Sequence, residues 1–408
     1  MGAALWLVLV ACFRLAAFAE SEPSCVIELD CRECIPDHMP LVTSHRARDA
    51  RVSASLGEEL RLACGRGTLL AYPGRSEVRV VCEGGRFRVR EDGRLRHLLE
   101  LGCQEDVFED VLHDVEHCRP PLQGRAYLAG ARHLAAVCFD ADAAAPRRAL
   151  LAPDLALPPH ADRLAPLTVL GNFNHMFDST TRKDAEALFH DDASANRRLK
   201  ELLKHDDVTL GEQTVTAAKL LGPHYFEDQN ARVTDFVSNK VVTWRSVAHG
   251  NWRHLQRDVA RALRAGPRRV WAGTRGVAAL RGARARVPVE LRAGGRFPAP
   301  KYLWTVVLDT QSRTGVALVV LNDPFVAVSE IKDAVFCESI CSSISWLREL
   351  RRNRNYETPV LGLTFCCSLQ NFTDIVEEMP KNIVPHLDQY TVLTDLNLQE
   401  NDTLKNGV

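Results

Sequence analysis

Several features are scarce in this 408-residue sequence, and each scarcity excludes a class of protein. Net charge is nearly absent, because 51 Lys and Arg residues face 52 Asp and Glu residues, and this balance excludes a polycation. Beyond the first twenty positions, no apolar run approaches the roughly 18 residues that a membrane helix needs. With 24 glycines and 46% apolar residues, the chain is neither a collagen nor a disordered tail. The composition predicts a soluble globular protein, long enough for two domains.

The first nineteen residues have the pattern of a secretory signal. An apolar run at 3–13 is too short to span a bilayer, and Ala17-Phe18-Ala19 is the small-x-small pattern that a signal peptidase accepts. We therefore expect residues 1–19 to be removed and the mature protein to be secreted and extracellular. Two Asn-x-Thr sequons, at Asn371 and Asn401, are predicted glycosylation sites on that route.

Cysteine usage agrees with secretion. One of the thirteen cysteines, Cys12, lies in the predicted signal, and the even number that remains predicts up to six disulfides of unspecified pairing. Eight of these twelve fall between Cys25 and Cys138, which predicts a cysteine-rich β module over residues 20–120. Cys31-x-x-Cys34 also fits half of a zinc site, but the sequence offers no second pair with metal-ligand spacing, so disulfides are favoured.

Local patterns predict the main elements of the remaining chain. Alternating residues predict hairpins at 78–89 and 301–322. Helical periodicity predicts helices at 182–204, 211–221 and 333–350, and Ala, Pro and Arg residues predict an irregular connection at 141–167. The last of these helices would place Cys337 and Cys341 one turn apart on one face.

Charge is segregated along the chain. Residues 261–296 hold ten arginines against the single acid Glu290, whereas residues 374–402 hold seven acids against Lys381. A helix is predicted at 251–264, where an apolar face is formed by Trp252, Leu255, Val259 and Leu263. An adjacent stripe carries Arg253, Arg257, Arg261 and Arg264. Such a stripe suits a phosphate backbone, because guanidinium groups bind phosphate oxygens bidentately and displace condensed counterions. A solvated surface and an acidic partner, including the chain's own tail, are the alternatives.

A series of short motifs at and around this helix resembles those of a known family. In chain order they are Val137-Cys138-Phe139-Asp140, Gly250-Asn251-Trp252-x-x-Leu255, Pro300-Lys301-Tyr302-Leu303-Trp304, Gly315-Val316-Ala317-Leu318, Leu321-Asn322-Asp323-Pro324, Trp346 and Cys366-Cys367. Together, over residues 124–380, the chain resembles the secreted DNA/RNA non-specific endonucleases of arthropods.

The resemblance implies a fold and a chemistry. The fold would be α+β, a ββα-metal (His-Me finger) nuclease-like domain over residues 124–385, with a central antiparallel sheet flanked by helices and an acidic tail at 386–408. In that family a neutral histidine deprotonates water, while Mg²⁺, held mainly by an asparagine and waters, stabilises the leaving oxygen. Cleavage that ignores base sequence follows when the contacts go to phosphates.

The sequence departs from the family where the catalytic residues should stand. Ala231-Arg232 and Asp235-Phe236 resemble the flanks of the histidine motif, but Val233-Thr234 lies between them, and no Gly-His dipeptide occurs in the sequence. The position of the metal-binding asparagine holds Ala248, and a methyl group cannot coordinate Mg²⁺. The position of the acid that orients metal-bound waters holds Gln256.

Neighbouring residues offer a shifted site. His249 is the nearest base and Asn251 the nearest oxygen ligand, although an ordinary loop histidine and a cap of the helix that starts at Trp252 are the favoured explanations of these two residues. A missing internal stretch, as a skipped exon would leave, is a further explanation, but Ala248 and Gln256 lie outside the gap.

The sequence therefore predicts a degenerate family member, a pseudoenzyme in which Mg²⁺ binding is doubtful. Its partner would be DNA or RNA, bound without base specificity by an arginine-lined groove to which Arg232, Arg253, Arg257, Arg261 and Arg264 contribute; no membrane partner is expected. The alternatives are an active Mg²⁺-dependent endonuclease and an extracellular protein-binding module.

Overall fold

The computed structural model describes residues 24–396 with internal gaps. The gaps are residues 30, 32, 46, 48–50, 116–117, 119, 131, 152–178, 204–209, 227–228, 283–284 and 380–385. The predicted signal and Asn401 lie outside the described residues. No helix within them is long and apolar enough to cross a membrane.

Seven short strands occupy the cysteine-rich region. They are β1 (Cys25–Glu28), β2 (Leu41–Val42), β3 (Arg51–Ala54), β4 (Glu59–Ala63), β5 (Glu77–Glu83), β6 (Arg86–Val89) and β7 (Leu95–Arg96). Strands β1 and β3 pair, and the other five form a sheet in the order β2-β4-β5-β6-β7. The hairpin predicted at 78–89 is confirmed as β5 and β6.

The following strands build one large sheet and three hairpins. They are β8 (Phe108–Leu112), β9 (Leu122–Ala129), β10 (Arg132–Asp140), β11 (Ala145–Leu151), β12 (Val215–Lys219), β13 (Lys240–Trp244), β14 (Arg269–Val277), β15 (Ala279–Arg281), β16 (Arg286–Pro288), β17 (Glu290–Arg292), β18 (Arg296–Pro298), β19 (Pro300–Asp309), β20 (Thr314–Leu321), β21 (Thr364–Cys367) and β22 (Thr391–Val392). The sheet runs β21-β20-β19-β14-β11-β10-β9-β8, with β22 added parallel to β20. All other pairings in it are antiparallel. The hairpin predicted at 301–322 is confirmed as β19 and β20.

Helices lie between these strands. The α-helices of the described residues are α1 (Ser179–His190), α2 (Asp192–Leu203), α3 (Arg245–Val247), α4 (Arg253–Arg264), α5 (Ile331–Ala334), α6 (Arg348–Arg351) and α7 (Leu369–Ile375). Short 3₁₀ segments include Pro223–Tyr225, Asn230–Asp235, Val237–Asn239, Cys341–Ser343, Arg352–Glu357 and Pro359–Leu361. The helix predicted at 251–264 is confirmed as α4.

Four of the predicted elements require correction. The helix predicted at 182–204 is two helices, because the Asp191 carboxylate accepts the backbone N–H groups of Ala193 and Ser194 and starts α2. The helix predicted at 211–221 is wrong: residues 215–219 form β12, which pairs with β13. The helix predicted at 333–350 is also wrong, because α5 ends at Ala334 and α6 begins only at Arg348. The connection expected at 141–167 contains strand β11.

Both faces of the large sheet are buried. In β19, Leu303 and Val307 pack into the core that holds α4, whereas Trp304 and Val306 pack into a second cluster with α7. This alternation follows from the two-residue period of a strand. Gly273 in β14 allows the close approach, because a Cβ there would lie 2.1 Å from Trp304 Cζ2. The result is a mixed helix and sheet protein built around a large antiparallel sheet.

Six disulfides close the fold, as the even cysteine count predicts. They are Cys25–Cys82, Cys31–Cys34, Cys64–Cys103, Cys118–Cys138, Cys337–Cys367 and Cys341–Cys366. The pairing of Cys31 with Cys34 decides against the zinc alternative. Cys337 and Cys341 each reach β21, and these links hold the segment between α5 and α6 in an irregular path.

Contacts also join the regions on the two sides of residue 120. Strand β8 pairs with β9, and the Gln229 amide binds both the N–H of Val42 (2.9 Å) and its C=O (3.2 Å). The buried Arg125 guanidinium donates to the Asp110 carboxylate at 2.6 Å, and Ser238 donates to the other carboxylate oxygen at 2.5 Å. The separate domain over residues 20–120 stays a prediction.

Candidate nucleic-acid interface

The Gly250-Asn251-Trp252 motif forms a wide turn that leads into α4. A Cβ at Gly250 would lie 2.8 Å from the carbonyl oxygen of Leu361, so only glycine allows the 359–361 turn to pack here. Asn251 is fully buried, and its Nδ2 donates to the carbonyls of Asn355 (2.7 Å) and Gly362 (2.6 Å). The motif therefore fastens residues 355–362 against the start of α4.

Asn251 is a poor ligand for a hydrated ion in this position. Its Oδ1 atom is buried and has no hydrogen-bond partner in the described structure, while both protons of the amide are committed to backbone carbonyls. Mg²⁺ keeps most of its water shell and therefore needs space that solvent can reach. With an exposed fraction of 0%, Asn251 provides no such space.

Gln256 is a hydrogen-bond donor at the position where the resemblance implies an acid. Its Nε2 donates to the carbonyl of Lys219 at 2.9 Å and lies 3.4 Å from that of Leu220, and Trp252 Nε1 donates to the same Lys219 carbonyl at 2.9 Å. A carboxylate could not make these bonds, because it only accepts. Gln256 thus ties α4 to the end of β12.

Ala248 completes the set of positions at which the resemblance implies a metal site. It lies partly buried against the main core and supplies no oxygen. A methyl group at 248, a committed buried amide at 251 and a donor amide at 256 do not fit a hydrated magnesium ion.

His249 lies apart from these buried groups. It is exposed on the turn before α4. Partial burial, followed by the charges of Arg245 and Arg253, lowers the pKa of the imidazole, and Asp192 offsets this in part. His249 is therefore neutral at physiological pH, as a general base must be, but the structure pairs it with no metal ligand among the described residues.

The predicted arginine stripe lies on α4, and buried groups hold its member Arg261. Arg261 donates to the buried Asp258 carboxylate at 2.5 Å and lies 3.5 Å from Glu349. Asp258 also accepts the backbone N–H groups of Glu349 (3.0 Å) and Leu350 (3.1 Å), and so caps α6. Arg261 therefore supports the junction of α4 with α6, whereas Arg264 at the end of α4 is exposed.

The first half of α4 is electropositive. Burial is the main cause that lowers the pKa of His254, and the nearby charges of Arg257, Arg253 and Arg352 add to it. Arg245 and Arg253 act in the same direction on His249. We call Arg245, Arg253, Arg257 and Arg352 the α4 arginine surface. Its opposing acids are Asp192 and Glu349.

Arg232 lies elsewhere and is buried. It sits in the 3₁₀ turn Asn230–Asp235, which packs against β8 and β9, and only 5% of it is exposed. Burial lowers the pKa of its guanidinium to about 10, although Asp106 and Asp235 act in the opposite direction. Arg232 is thus not part of the surface formed by the α4 arginines.

Sequence reasoning missed Lys219 and Lys240. These residues face each other in the last pair of the β12–β13 hairpin, and Lys219 forms an ion pair with Asp235 at 2.7 Å. The predicted helix at 211–221 concealed this pairing. The β-branched residues of Val215-Thr216 and Val241-Val242-Thr243 were the available signal for a strand pair.

The predicted glycosylation site at Asn371 is exposed in the first turn of α7. One group of residues in the described structure has the spacing of a metal site, Glu28 with Cys31 and Cys34. Because the two cysteines form a disulfide, they provide no thiolate ligands.

Comparisons with known proteins place the chain only loosely. No protein-family model matches it. An 84-residue stretch, 21% of this chain, is 31% identical to "Salivary protein Tsal1" and to "Salivary protein Tsal2A", both of Glossina morsitans morsitans. That stretch spans 19% and 20% of the two relatives, about a fifth of their length. The salivary relatives and the six disulfides are consistent with a secreted protein.

Among solved structures, a chain of the crystal structure of the EndoG/EndoGI complex aligns with 46% of this chain and 71% of its own length, at 12% identity and a TM-score of 0.27. A TM-score at this level does not establish a shared fold. These comparisons therefore assign the chain to no family.

Proposed function

We propose that this chain is a secreted member of the DNA/RNA non-specific endonuclease family that binds nucleic acid and has lost most or all of its phosphodiester hydrolysis. The order of β12, β13 and α4 agrees with a β-β-α arrangement, and the large antiparallel sheet between helices agrees with the fold that the motifs imply.

The observation that carries the loss of hydrolysis is the hydrogen bonding of Gln256. Gln256 stands at the position of the family's acid, and its amide donates to the Lys219 carbonyl at 2.9 Å. The side chain therefore faces a carbonyl oxygen where the family's acid would face a hydrated cation. Ala248 removes the metal-binding amide at the same time. General-base and metal catalysis each supply large factors in rate, about 10² to 10⁴ for the base alone.

The α4 arginine surface supports binding to phosphate backbones. The guanidinium groups that act on His249 and His254 attract a polyanion, and contacts that go to phosphates carry no base specificity. Of the five arginines expected from sequence, Arg232 is buried, Arg261 donates to Asp258 and Arg264 is exposed at the end of α4. The proposed surface keeps Arg253 and Arg257 and adds Arg352 and Arg245, which lies 3.3 Å from the Asp192 carboxylate.

Plasmid DNA and double-stranded RNA, each incubated with purified full-length protein, test this function. We expect complexes on native gels and intact nucleic acid on denaturing gels, with Mg²⁺ or with chelator. Degradation that stops on addition of chelator would overturn the proposed loss of hydrolysis. Failure to bind in low salt would favour a protein partner instead.

An active endonuclease with a shifted site is the second candidate, because the lowered pKa of His249 keeps its imidazole neutral. His249→Ala decides between the two. Under the shifted-site hypothesis the variant loses chelator-sensitive cleavage, whereas under our proposal it binds nucleic acid as the unmodified protein does and neither protein cleaves.

A further inference from the structure

A cluster of positive charge lies at the end of the β12–β13 hairpin. Lys219 and Lys240 are directly opposite in the antiparallel register, which places their side chains on one face of the hairpin. Lys219 is one-quarter exposed, so solvent reaches the cluster from this side.

The 3₁₀ segment Asn230–Asp235, between β12 and β13, places a third cation, Arg232, near the carboxylate of Asp235. Residues three apart on such a turn lie on the same side, which places Arg232 beside Asp235. Lys219 Nζ lies 2.7 Å from Asp235 Oδ1 and donates to Thr234 Oγ1 at 3.0 Å. Asn239 fixes the turn, because its Nδ2 donates to the carbonyls of Thr234 and Leu221.

Within the described part of the chain, few acids face the positive charge of this cluster. Lys219, Lys240 and Arg232 all interact with Asp235, whose side chain is 5% exposed. Asp106 also acts on Arg232, but its side chain is nearly half exposed and is bound by His38 at 2.8 Å. Three cations thus share one buried carboxylate.

Arg232 carries the most direct sign of a missing partner. Its Nη2 atom is buried and has no hydrogen-bond acceptor among the described residues. Burial lowers the pKa of Lys240 as well, and Lys219 adds to the effect. A buried donor or charge without a partner is costly, and an anion that supplies acceptor oxygens removes this cost.

We propose that Lys219, Arg232 and Lys240 form a phosphate-binding site that needs no metal ion, with Asp235 positioning Lys219. We call it the hairpin phosphate site. A guanidinium and two ammonium groups suit the oxygens of a phosphate group. The choice of phosphate rests on the proposed nucleic-acid function, and the site is separate from the α4 arginine surface.

Calorimetric titration of the full-length protein with inorganic phosphate, against chloride at equal ionic strength, tests the site. We expect binding by the unmodified protein and at least a tenfold weaker affinity in Lys240→Gln, since the variant loses one charge-assisted hydrogen bond to the phosphate. Lys332→Gln, the same change at an exposed lysine in α5, should bind as the unmodified protein does. No binding by the unmodified protein, or equal binding by Lys240→Gln, overturns the proposal.

Two further variants guard against loss of folding. Lys240→Arg keeps the charge and should restore most of the affinity, whereas Arg232→Met should abolish binding; a thermal melt verifies that each is folded. Phosphate binding that is tighter in Lys240→Gln than in Lys240→Arg would contradict an electrostatic site.

The source of the phosphate is distinguished by a thymidine dinucleotide with and without a 5′ phosphate. Tighter binding of the phosphorylated form indicates a nucleic-acid end, and binding of inorganic phosphate alone indicates the free ion; both support the site. The double variant Arg253→Gln/Arg257→Gln should keep phosphate binding and weaken duplex binding. If no duplex binds to the unmodified protein but phosphate does, the proposed function fails and the hairpin phosphate site stands.

Discussion

Replacing Gln256 with glutamate separates a structural role from a catalytic one. The family that the sequence resembles has an acid at this position, and Gln256→Glu introduces that type of residue. In this structure the side chain is 6% exposed and packs against Gly222, where a Cβ would lie 2.9 Å from its amide. A carboxylate would face the Lys219 carbonyl with no proton to donate.

The cost follows from the contacts that are lost. One net hydrogen bond contributes about 1 kcal/mol, and a buried acceptor left without a partner costs about 1 to 3 kcal/mol more. The carbonyl of Lys219 keeps its bond from Trp252, so the buried acceptor without a partner is the introduced carboxylate. We therefore expect Gln256→Glu to lower the free energy of unfolding by about 3 kcal/mol at pH 7.5.

The penalty should depend on pH. Burial beside carbonyls raises the pKa of the introduced carboxyl above its unfolded value, so the destabilisation is complete above the folded pKa and disappears as pH falls below the unfolded value. Denaturant unfolding of the disulfide-intact protein at pH 7.5 and pH 5 measures this. Gln256→Met loses the bond without adding charge and should show no such pH dependence.

The reasoning is refuted if Gln256→Glu is as stable as the unmodified protein at pH 7.5. It is equally refuted if Mg²⁺ stabilises the variant and restores cleavage, because the side chain would then face a metal site.

The remaining predictions concern the α4 surface and the sheet. The His249 imidazole should titrate below pH 6.5 in an NMR titration; because its pKa is lowered on folding, its contribution to stability is lost as pH falls from the unfolded value through the folded one. Arg253→Gln/Arg257→Gln should make the slope of log K against log salt shallower by about 2, measured by fluorescence anisotropy on duplex DNA. Gly273→Ala should lower the thermal midpoint by several degrees and alter tryptophan emission, because the added Cβ would overlap Trp304; an unchanged melt would contradict this packing.

The elements that the sequence predicted well are those whose pattern decides the structure locally. The strands of the 78–89 and 301–322 hairpins alternate around polar turns, and α4 has one apolar face with glycine and proline beyond its end. The elements that failed depend on distant partners. Residues 215–219 form a strand because β13 pairs with them. Residues 335–347 do not form the predicted α-helix, because disulfides bind Cys337 and Cys341 to β21.

The candidate site shows the same division. The replacement of a ligand by Ala248 could be seen from the sequence alone. The donor role of Gln256 could not, because it depends on a carbonyl 37 positions earlier in the chain. Nor could the burial of Arg232 or the capping of α6 by Asp258, which holds Arg261, since both arise from packing between remote segments.

The affinity for a random duplex DNA, measured in chelator over a series of salt concentrations, tests the central claim most directly. Binding through the four residues of the α4 arginine surface predicts that log K falls linearly with log salt with a slope of about -3 to -4, with no dependence on Mg²⁺. Affinity that does not change with salt, or binding that requires Mg²⁺, would contradict this account.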